Sequence, residues 1–374
     1  MPRLTVTQAK VRNVVVSGKT IWRHVILETG AGLRGIGEAS LDHAPHDYDD
    51  EFRCAAKVLE GRDIGPDTLT PLAILLDNGL AQRTIHSALN QAVCDLRAQS
   101  EGVALWQWLE PNADGTVRSL YANINRTSTD RSPAGFAANA ARAASEGFRA
   151  VKIAAFDGLS PDICGGQDGP ALIEAGLARL QAVAEASPGV DLMVDCHWRL
   201  DVTTAHNLLP RLADIGVSWL ECPFPETEDR IDDLRSLRGQ ANAHDIRLCG
   251  LETHGNWEHV APFVTGGAYD VIMPDVKHAG SLKAVTDIAK RAAPLGVAVS
   301  LHNPSGPIAH QSSVHTAIAI GGSERLEIQW RESPLFDEIT SPPPLIDSGQ
   351  SGVPTGHGLG ATLLSDIPSE PETV

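Results

Sequence analysis

Seven side chains able to bind a metal or carry a proton stand at the ends of short apolar runs: Lys152, Asp195, His197, Glu221, Glu252, Asp275 and His302. The clearest run is Leu192-Met193-Val194-Asp195-Cys196-His197-Trp198-Arg199, in which an apolar stretch breaks abruptly into Asp, His and Arg. It reads as a buried parallel strand ending in a polar site, and alternation puts Asp195 and His197 on one face with Cys196 on the other. Asp195, Glu221 and Glu252 supply hard oxygen ligands with no thiolate or imidazole required. That chemistry selects Mg²⁺, or Mn²⁺ as its close substitute. Asp275 and His302 form a second group. A carboxylate bonded to one ring nitrogen fixes the tautomer and leaves the other nitrogen as a general base near neutral pH.

Each of these residues alone could be a salt-bridged or core group, so the argument rests on the elements that carry them. From Ser119 the sequence alternates strand and helix. Strand candidates are Leu120–Asn125, Ala150–Ala154, Leu192–Asp195, Val217–Glu221, Arg247–Leu251, Val271–Pro274, Val297–Leu301 and Arg325–Trp330. Helices such as Ala171–Ala186 and Ser281–Ala293 fall between them, and Ser132-Pro133 is an N-cap followed by proline at the first helical position. Eight parallel β-α units close into a barrel whose active sites lie at the C-terminal strand ends. The competing architecture, a doubly wound open sheet, lacks a G-x-G-x-x-G after its first strand.

Before Ser119 the grammar differs. Val11–Val16 and Trp22–Glu28 alternate around the turn Ser17-Gly18-Lys19-Thr20, and Gly30, Gly32, Gly35 and Gly37 punctuate a loop and a further short strand. Residues 51–107 read as helical, with Ile85, Ala88, Leu89, Ala92 and Leu96 as an apolar stripe. The expected organisation is an α+β capping domain over 1–118, a modified (β/α)8 TIM-type barrel over 119–341, and a Pro- and Gly-rich segment over 342–374 that packs back on the cap. Asp42–Asp50 is either a solvated loop or a mobile lid in which His43, His46 and Tyr48 read a substrate.

Composition narrows the partners. A formal charge of -17 over 374 residues argues against nucleic acid or an anionic membrane surface. The six cysteines are scattered, and Cys196, Cys222 and Cys249 sit in or beside apolar strands, which suits buried thiols. The N-terminus lacks the pattern of a secretory signal, and no apolar run is long enough to span a bilayer. A soluble cytoplasmic protein, forming a homo-oligomer, is the expectation.

Gly147-Phe148-Arg149-Ala150-Val151-Lys152, Trp219-Leu220-Glu221, Met273-Pro274-Asp275 and Ser300-Leu301-His302 resemble the mandelate racemase branch of the enolase superfamily. The resemblance covers nearly the whole chain. It implies metal ligation by Asp195, Glu221 and Glu252, and a His302-Asp275 dyad. Lys152 matches the first lysine of the family's K-x-K motif, but Ala154 replaces the second, the base on the opposite face of the substrate. A racemase needs a base on each face, so this departure argues against racemisation. Within the branch, Asp-Cys-His-Trp-Arg, Pro-Asp-Val-Lys-His-Ala-Gly and His-Asn-Pro-Ser-Gly-Pro-Ile-Ala look most like acid-sugar dehydratases of the galactonate dehydratase kind.

That resemblance implies His197 as the acid that protonates a departing hydroxyl, and a sugar acid, a small carboxylate, as substrate. Lys152 would help stabilise an enolate, while Arg199, Asn125, His43 and Glu332 would bind substrate. The family places a substrate-binding glutamate on strand eight, where Trp330 stands here. Alternation favours Glu332 over Glu327 for that task. The expected reaction is dehydration to a 2-keto-3-deoxy acid, with cycloisomerisation or epimerisation as alternatives and a non-catalytic sugar-acid binder as the third.

Overall fold

A computed structural model describes residues 4–365. Residues 366–374 of the expected C-terminal segment, and residues 1–3, lie outside that range. The chain opens with an antiparallel sheet of β1 (Val6–Val15), β2 (Ile21–Thr29) and β3 (Arg34–Glu38). After it come α1 (Tyr48–Lys57), a 3₁₀ turn at Thr70–Leu76, α2 (Leu80–Glu101) and α3 (Leu105–Leu109). The apolar stripe of α2 is fully buried against the sheet. Contact is so close that a Cβ at Gly37 would lie 1.9 Å from the Ala88 carbonyl oxygen, so glycine at that position lets helix and strand backbones touch. The helical stretch expected over 51–107 is interrupted between Lys57 and Leu80. Gly61 and Gly79 take positive φ there, and Pro66 and Pro71 interrupt backbone donation.

Eight parallel strands follow: β4 (Arg118–Asn123), β5 (Ala150–Ile153), β6 (Asp191–Asp195), β7 (Val217–Glu221), β8 (Arg247–Gly250), β9 (Val271–Ile272), β10 (Ala298–Val299) and β11 (Leu326–Gln329). Neighbours pair in sequence order from β4 to β10, and β11 returns to pair with β4. Glu324 N to Val299 O and Glu327 N to Leu301 O close the remaining seam, so the sheet is a barrel and the open-sheet alternative falls. Between β4 and β5 runs α4 (Pro133–Ser145), whose N-cap Ser132 accepts from Gly135 N as its sequence predicts. The short α5 (Pro161–Cys164) and α6 (Gly169–Ala186) precede β6, and α7 (Val202–Ile215), α8 (Ile231–Asn242), α9 (Trp257–Thr265), α10 (Leu282–Ala292) and α11 (Pro307–Ile320) alternate with the later strands. β9 and β10 are shorter than expected. After β9, Pro274 has no N–H with which to continue the ladder.

Two contacts set the cap on the barrel mouth, and a third ties the C-terminal segment to the cap. Arg83 of α2 donates to His278 O and Thr253 O, both at 2.6 Å, gripping the chain beyond β8 and β9. Glu38 at the end of β3 accepts from Gly306 N and Ala309 N, both at 2.8 Å, at the start of α11. The C-terminal segment bonds α2 through Leu359 N to Asp95 Oδ1 at 2.8 Å. It also exchanges backbone bonds with Val103 and Leu105 through Gly358. All six cysteines are free, and Cys196, Cys222 and Cys249 are buried. No helix among the described residues is long and apolar enough to cross a membrane.

Candidate active site

Strand periodicity aims the polar groups. Tyr121, Ala150, Met193, Trp219 and Cys249 pack together inside the barrel as one buried apolar cluster. Residues two apart share a face of a strand. Asn123, Lys152, Asp195 and Glu221 therefore look into the same interior, one layer nearer the C-terminal ends. Cys196 turns the other way, into the apolar layer under the helices. At the strand tips the backbone departs from the ordinary: His197, Trp198, Cys222 and Leu251 all have positive φ, between 44° and 72°. Such conformations cost on the order of 1–3 kcal/mol each and persist only where the surroundings enforce them. Here Glu226 provides part of the enforcement, accepting from Leu251 N at 2.7 Å, Trp198 Nε1 at 2.9 Å and the Tyr269 hydroxyl at 2.7 Å.

Beyond the turn at Leu251, Glu252 joins Asp195 and Glu221, and one carboxylate oxygen from each lies within 4.8 Å of the others. All three are buried. Burial raises the Glu221 carboxyl above its usual range, and Asp195, Glu252 and Glu327 raise it further, against the opposing charge of Lys152. Three buried carboxylates converging on one point with a single ammonium among them leave negative charge uncompensated. This donor set fits a hard divalent cation and could hold one. Lys152 Nζ contacts Glu221 Oε1 and lies 3.1 Å from Glu327 Oε1. Burial works against its charge, but those two carboxylates hold it protonated.

His302 Nδ1 is 2.8 Å from Asp275 Oδ2, while its Nε2 lies 3.5 Å from Glu252 Oε2, which places a base directly against the carboxylate group. Burial alone would depress the imidazole. Glu252, Glu327 and Asp275 together outweigh it and lift His302 to about 9. His197 Nε2 sits 2.7 Å from Asp195 Oδ2, and Asp195 raises its basicity. Asp195, His197, Glu252 and His302 face a cavity of about 410 Å³ between barrel and cap. Asn125, Arg199 and His43 also line it. Arg199 is bonded to Asp157 at 3.2 Å, and Asn125 Oδ1 accepts from Arg131 at 2.7 Å.

Glu332 departs from expectation. It accepts from Thr20 Oγ1 at 2.5 Å and pairs with Arg126 at 3.3 Å, outside the barrel interior. The strand-eight carboxylate inside is Glu327, held by Asn123 Nδ2 at 2.7 Å and Asn303 N at 3.0 Å. β11 stops at Gln329, so alternation does not reach Glu332, and the inward face is the opposite parity: Glu327 and Gln329 point inward while Leu326, Ile328 and Trp330 lie on the apolar face. Tyr48 does not read a substrate either. It is buried, donating to Ala39 O at 2.8 Å, and starts α1. Lys277 went unrecognised. Its backbone N and Nζ both donate to Asp275, each at 2.7 Å, so it clamps the dyad's carboxylate and faces the cavity beside His302.

A parallel barrel whose strand tips carry a carboxylate triad, a buried lysine and a His-Asp pair defines a class, and comparison supplies its family. Residues 135–367 match the family described as enolase C-terminal domain-like, and the chain belongs to that family, in the mandelate racemase and muconate lactonizing enzyme branch of the enolase superfamily. Among curated proteins it is similar to D-xylonate dehydratase of Haloferax volcanii, 28% identical over 61% of this chain and 57% of the relative. D-gluconate dehydratase of Thermoproteus tenax is 24% identical over 77% of this chain and 56% of the relative. D-galactonate dehydratase of Verminephrobacter eiseniae is 26% identical over 79% and 74%. The matched region thus spans little more than half of the first two relatives. The fold is shared with the mandelate racemase/muconate lactonizing enzyme from Sulfitobacter sp, at a TM-score of 0.84 and 19% identity, covering 99% of this chain and 96% of that one.

Proposed function

We propose that this protein is a Mg²⁺-dependent acid-sugar dehydratase. It removes the proton α to a carboxylate and eliminates the β-hydroxyl, giving a 2-keto-3-deoxy acid. The observation that carries the reading is the His302-Asp275 pair set against the Asp195, Glu221 and Glu252 carboxylates, with His302, Asp195 and Glu252 lining one cavity. Three named dehydratases of sugar acids among the relatives support the same substrate class.

Asp195, Glu221 and Glu252 would hold the cation, whose charge, when bound, stabilises the dianion that forms as the α-proton leaves. His302 Nε2 takes that proton from its neutral form, which a cation at the triad would favour by offsetting the Glu252 charge that helps lift this imidazole to about 9, and Asp275 stabilises the resulting imidazolium at Nδ1. Lys152 contributes a fixed positive charge in a dry site, where a preoriented charge acts more strongly than in water. Glu327, rather than Glu332, is the strand-eight carboxylate inside the barrel, and it holds Lys152 in place as a charged partner. His197 donates a proton to the departing hydroxyl, and the enol product tautomerises. Arg199, Asn125 and His43 contact the remainder of the substrate. Cytoplasmic location and homo-oligomerisation belong to the same proposal, and cell fractionation and analytical sedimentation test them.

The decisive experiment incubates the purified chain and Mg²⁺ with a panel of acid sugars in D₂O. NMR should show a 2-keto-3-deoxy acid. A lactone-opened isomer or an epimer as product favours the cycloisomerase reading, which a 26% identical relative, D-galactarolactone cycloisomerase of Agrobacterium fabrum, keeps in view.

A further inference from the structure

One wall of the cavity carries positive charge that the proposed reaction leaves unused. Arg199 stands just beyond β6, after the turn in which His197 and Trp198 both hold positive φ, and it lines the cavity. Its Nη1 is anchored on Phe156 O at 3.0 Å and on Asp157 Oδ1 at 3.2 Å. Nε and Nη2 have no partner among the described residues. The anchored nitrogen fixes the plane of the guanidinium, and the open Nε–Nη2 edge is the fork that binds a carboxylate or phosphate through two parallel bonds.

Asp157 does not neutralise that fork. Arg131 takes both of its oxygens, Nε to Oδ2 at 2.7 Å and Nη2 to Oδ1 at 2.8 Å, and Arg179 Nη2 approaches to 3.9 Å. Burial opposes the Asp157 charge, but Arg131, Arg199 and Arg179 together hold its carboxyl below the usual range. No other carboxylate among the described residues pairs with any of these guanidiniums, so three positive charges share one negative charge. Arg131 and Arg179 direct their other donors to the carbonyls of Asn125, Ala154, Arg131 and Ala155, which leaves Arg199 as the member of the cluster open to the cavity. Asn125 lines the same cavity, and because its Oδ1 accepts from Arg131 at 2.7 Å, the amide keeps its Nδ2 donors for a ligand. The acidic groups that line the cavity are occupied elsewhere: Asp195 and Glu252 belong to the triad, and Asp42 accepts from Arg126 at 2.6 Å.

We infer that the Arg199 wall binds a second acidic group of the ligand, a carboxylate or phosphate ester remote from the carboxylate that reacts. This rests on the sugar-acid reading above and narrows it to diacids, with Arg199 as the specificity-determining residue. Xylonate, gluconate and galactonate, the compounds in the relatives' names, carry one acidic group each, so the inference departs from what those names give. Charge-assisted bonds are roughly twice as strong as neutral ones, and the open fork therefore distinguishes an oxyanion from a hydroxyl at the same end of the chain.

The test compares ligands that share a carbon chain and differ at the far end: gluconate with glucarate and 6-phosphogluconate, galactonate with galactarate, xylonate with xylarate. Calorimetric binding and turnover are both measured with Mg²⁺ present. The wild-type protein should bind its preferred diacid about tenfold or more tighter than the matching monoacid, and glucarate against 6-phosphogluconate tells carboxylate from phosphate. Arg199→Gln should lower that ratio about tenfold. Arg199→Lys, which keeps the charge and loses the fork, should restore part of it, and Asp157→Asn, which removes the shared negative charge, should raise it. Equal or tighter binding of monoacids by the wild type overturns the inference, as does a ratio that Arg199→Gln leaves unchanged. If Arg199→Gln does not fold, the Asp157→Asn ratio decides, and an unchanged or lowered value overturns the inference. A diacid preference that Arg199→Gln erases, with no diacid dehydrated, upholds the inference and ends the dehydratase reading. Product from monoacids alone, with diacids bound no more tightly, does the reverse. Absence of binding by every member of the panel overturns both.

Discussion

Asp275 Oδ2 accepts from two cationic or potentially cationic groups at once, His302 Nδ1 at 2.8 Å and Lys277 Nζ at 2.7 Å. The carboxylate is therefore held in place before any substrate arrives, and His302 is presented with Nε2 towards Glu252. Burial would favour a protonated Asp275, but Lys277, His278 and His302 keep it ionised. The consequence is a base whose orientation does not depend on its ligand.

His302 and His197 should fail at different steps. His302→Asn is expected to lose both dehydration and α-hydrogen exchange, because the proton never leaves. His197→Asn should lose dehydration by ~10²–10⁴-fold, the usual range for general acid-base groups, while exchange falls much less. Product formation and deuterium uptake, followed together by NMR, separate the two. Wild-type dehydration by His197→Asn on a good substrate would reduce His197 to a structural partner of Asp195.

Exchange should also be one-sided. Ala154 offers no base on the Lys152 side, and it is buried just beyond β5. Deuterium is expected at the α-carbon with retention of configuration, and none should enter in His302→Ala. Racemised substrate would point to a second base on the opposite face.

Metal dependence follows from the carboxylate group. Exhaustive chelation should abolish activity and Mg²⁺ should restore it. Glu252→Gln removes one anionic ligand from the set and should weaken the restoring affinity by at least an order of magnitude, a loss of about 1.4 kcal/mol or more. Full activity in chelator would remove the cation from the mechanism.

Asp95 gives a prediction about stability far from the site. Burial raises its carboxyl to about 6, against bonds from Gln99, Leu359 N and Ile36 N. The folded protein then holds this proton more tightly than the unfolded chain does. Its contribution is fully present below the ordinary value of 3.8 and is lost as pH rises through about 6. The full swing is on the order of 3 kcal/mol. Urea unfolding of the wild type and Asp95→Asn between those pH values should show curves that diverge; parallel curves would show that Asp95 titrates alike in both states.

Much of this was already present in the order of residues. Strands of parallel sheets are buried on both faces and so read as short apolar runs, and a charge at the end of such a run marks a barrel mouth. Lys152, Asp195, Glu221, Asp275 and His302 were legible for that reason, as were Ser132 as a cap and the stripe of α2. What the sequence could not show was where each strand stops. Equally hidden was which parity of β11 faces inward: Glu327 and Gln329 do, while Glu332 lies beyond the strand, where alternation no longer applies. Nor could local pattern reveal partners distant in the chain. Asp42 and Arg126 are 84 residues apart, yet they meet at 2.6 Å because the cap folds over the mouth of the barrel. Lys277 stands in Pro-Asp-Val-Lys-His-Ala-Gly with no role that local pattern assigns to it. It bonds Asp275 two residues before it, and the pairing of β9 with β10, which leads His302 to the same carboxylate, makes it a clamp on the dyad.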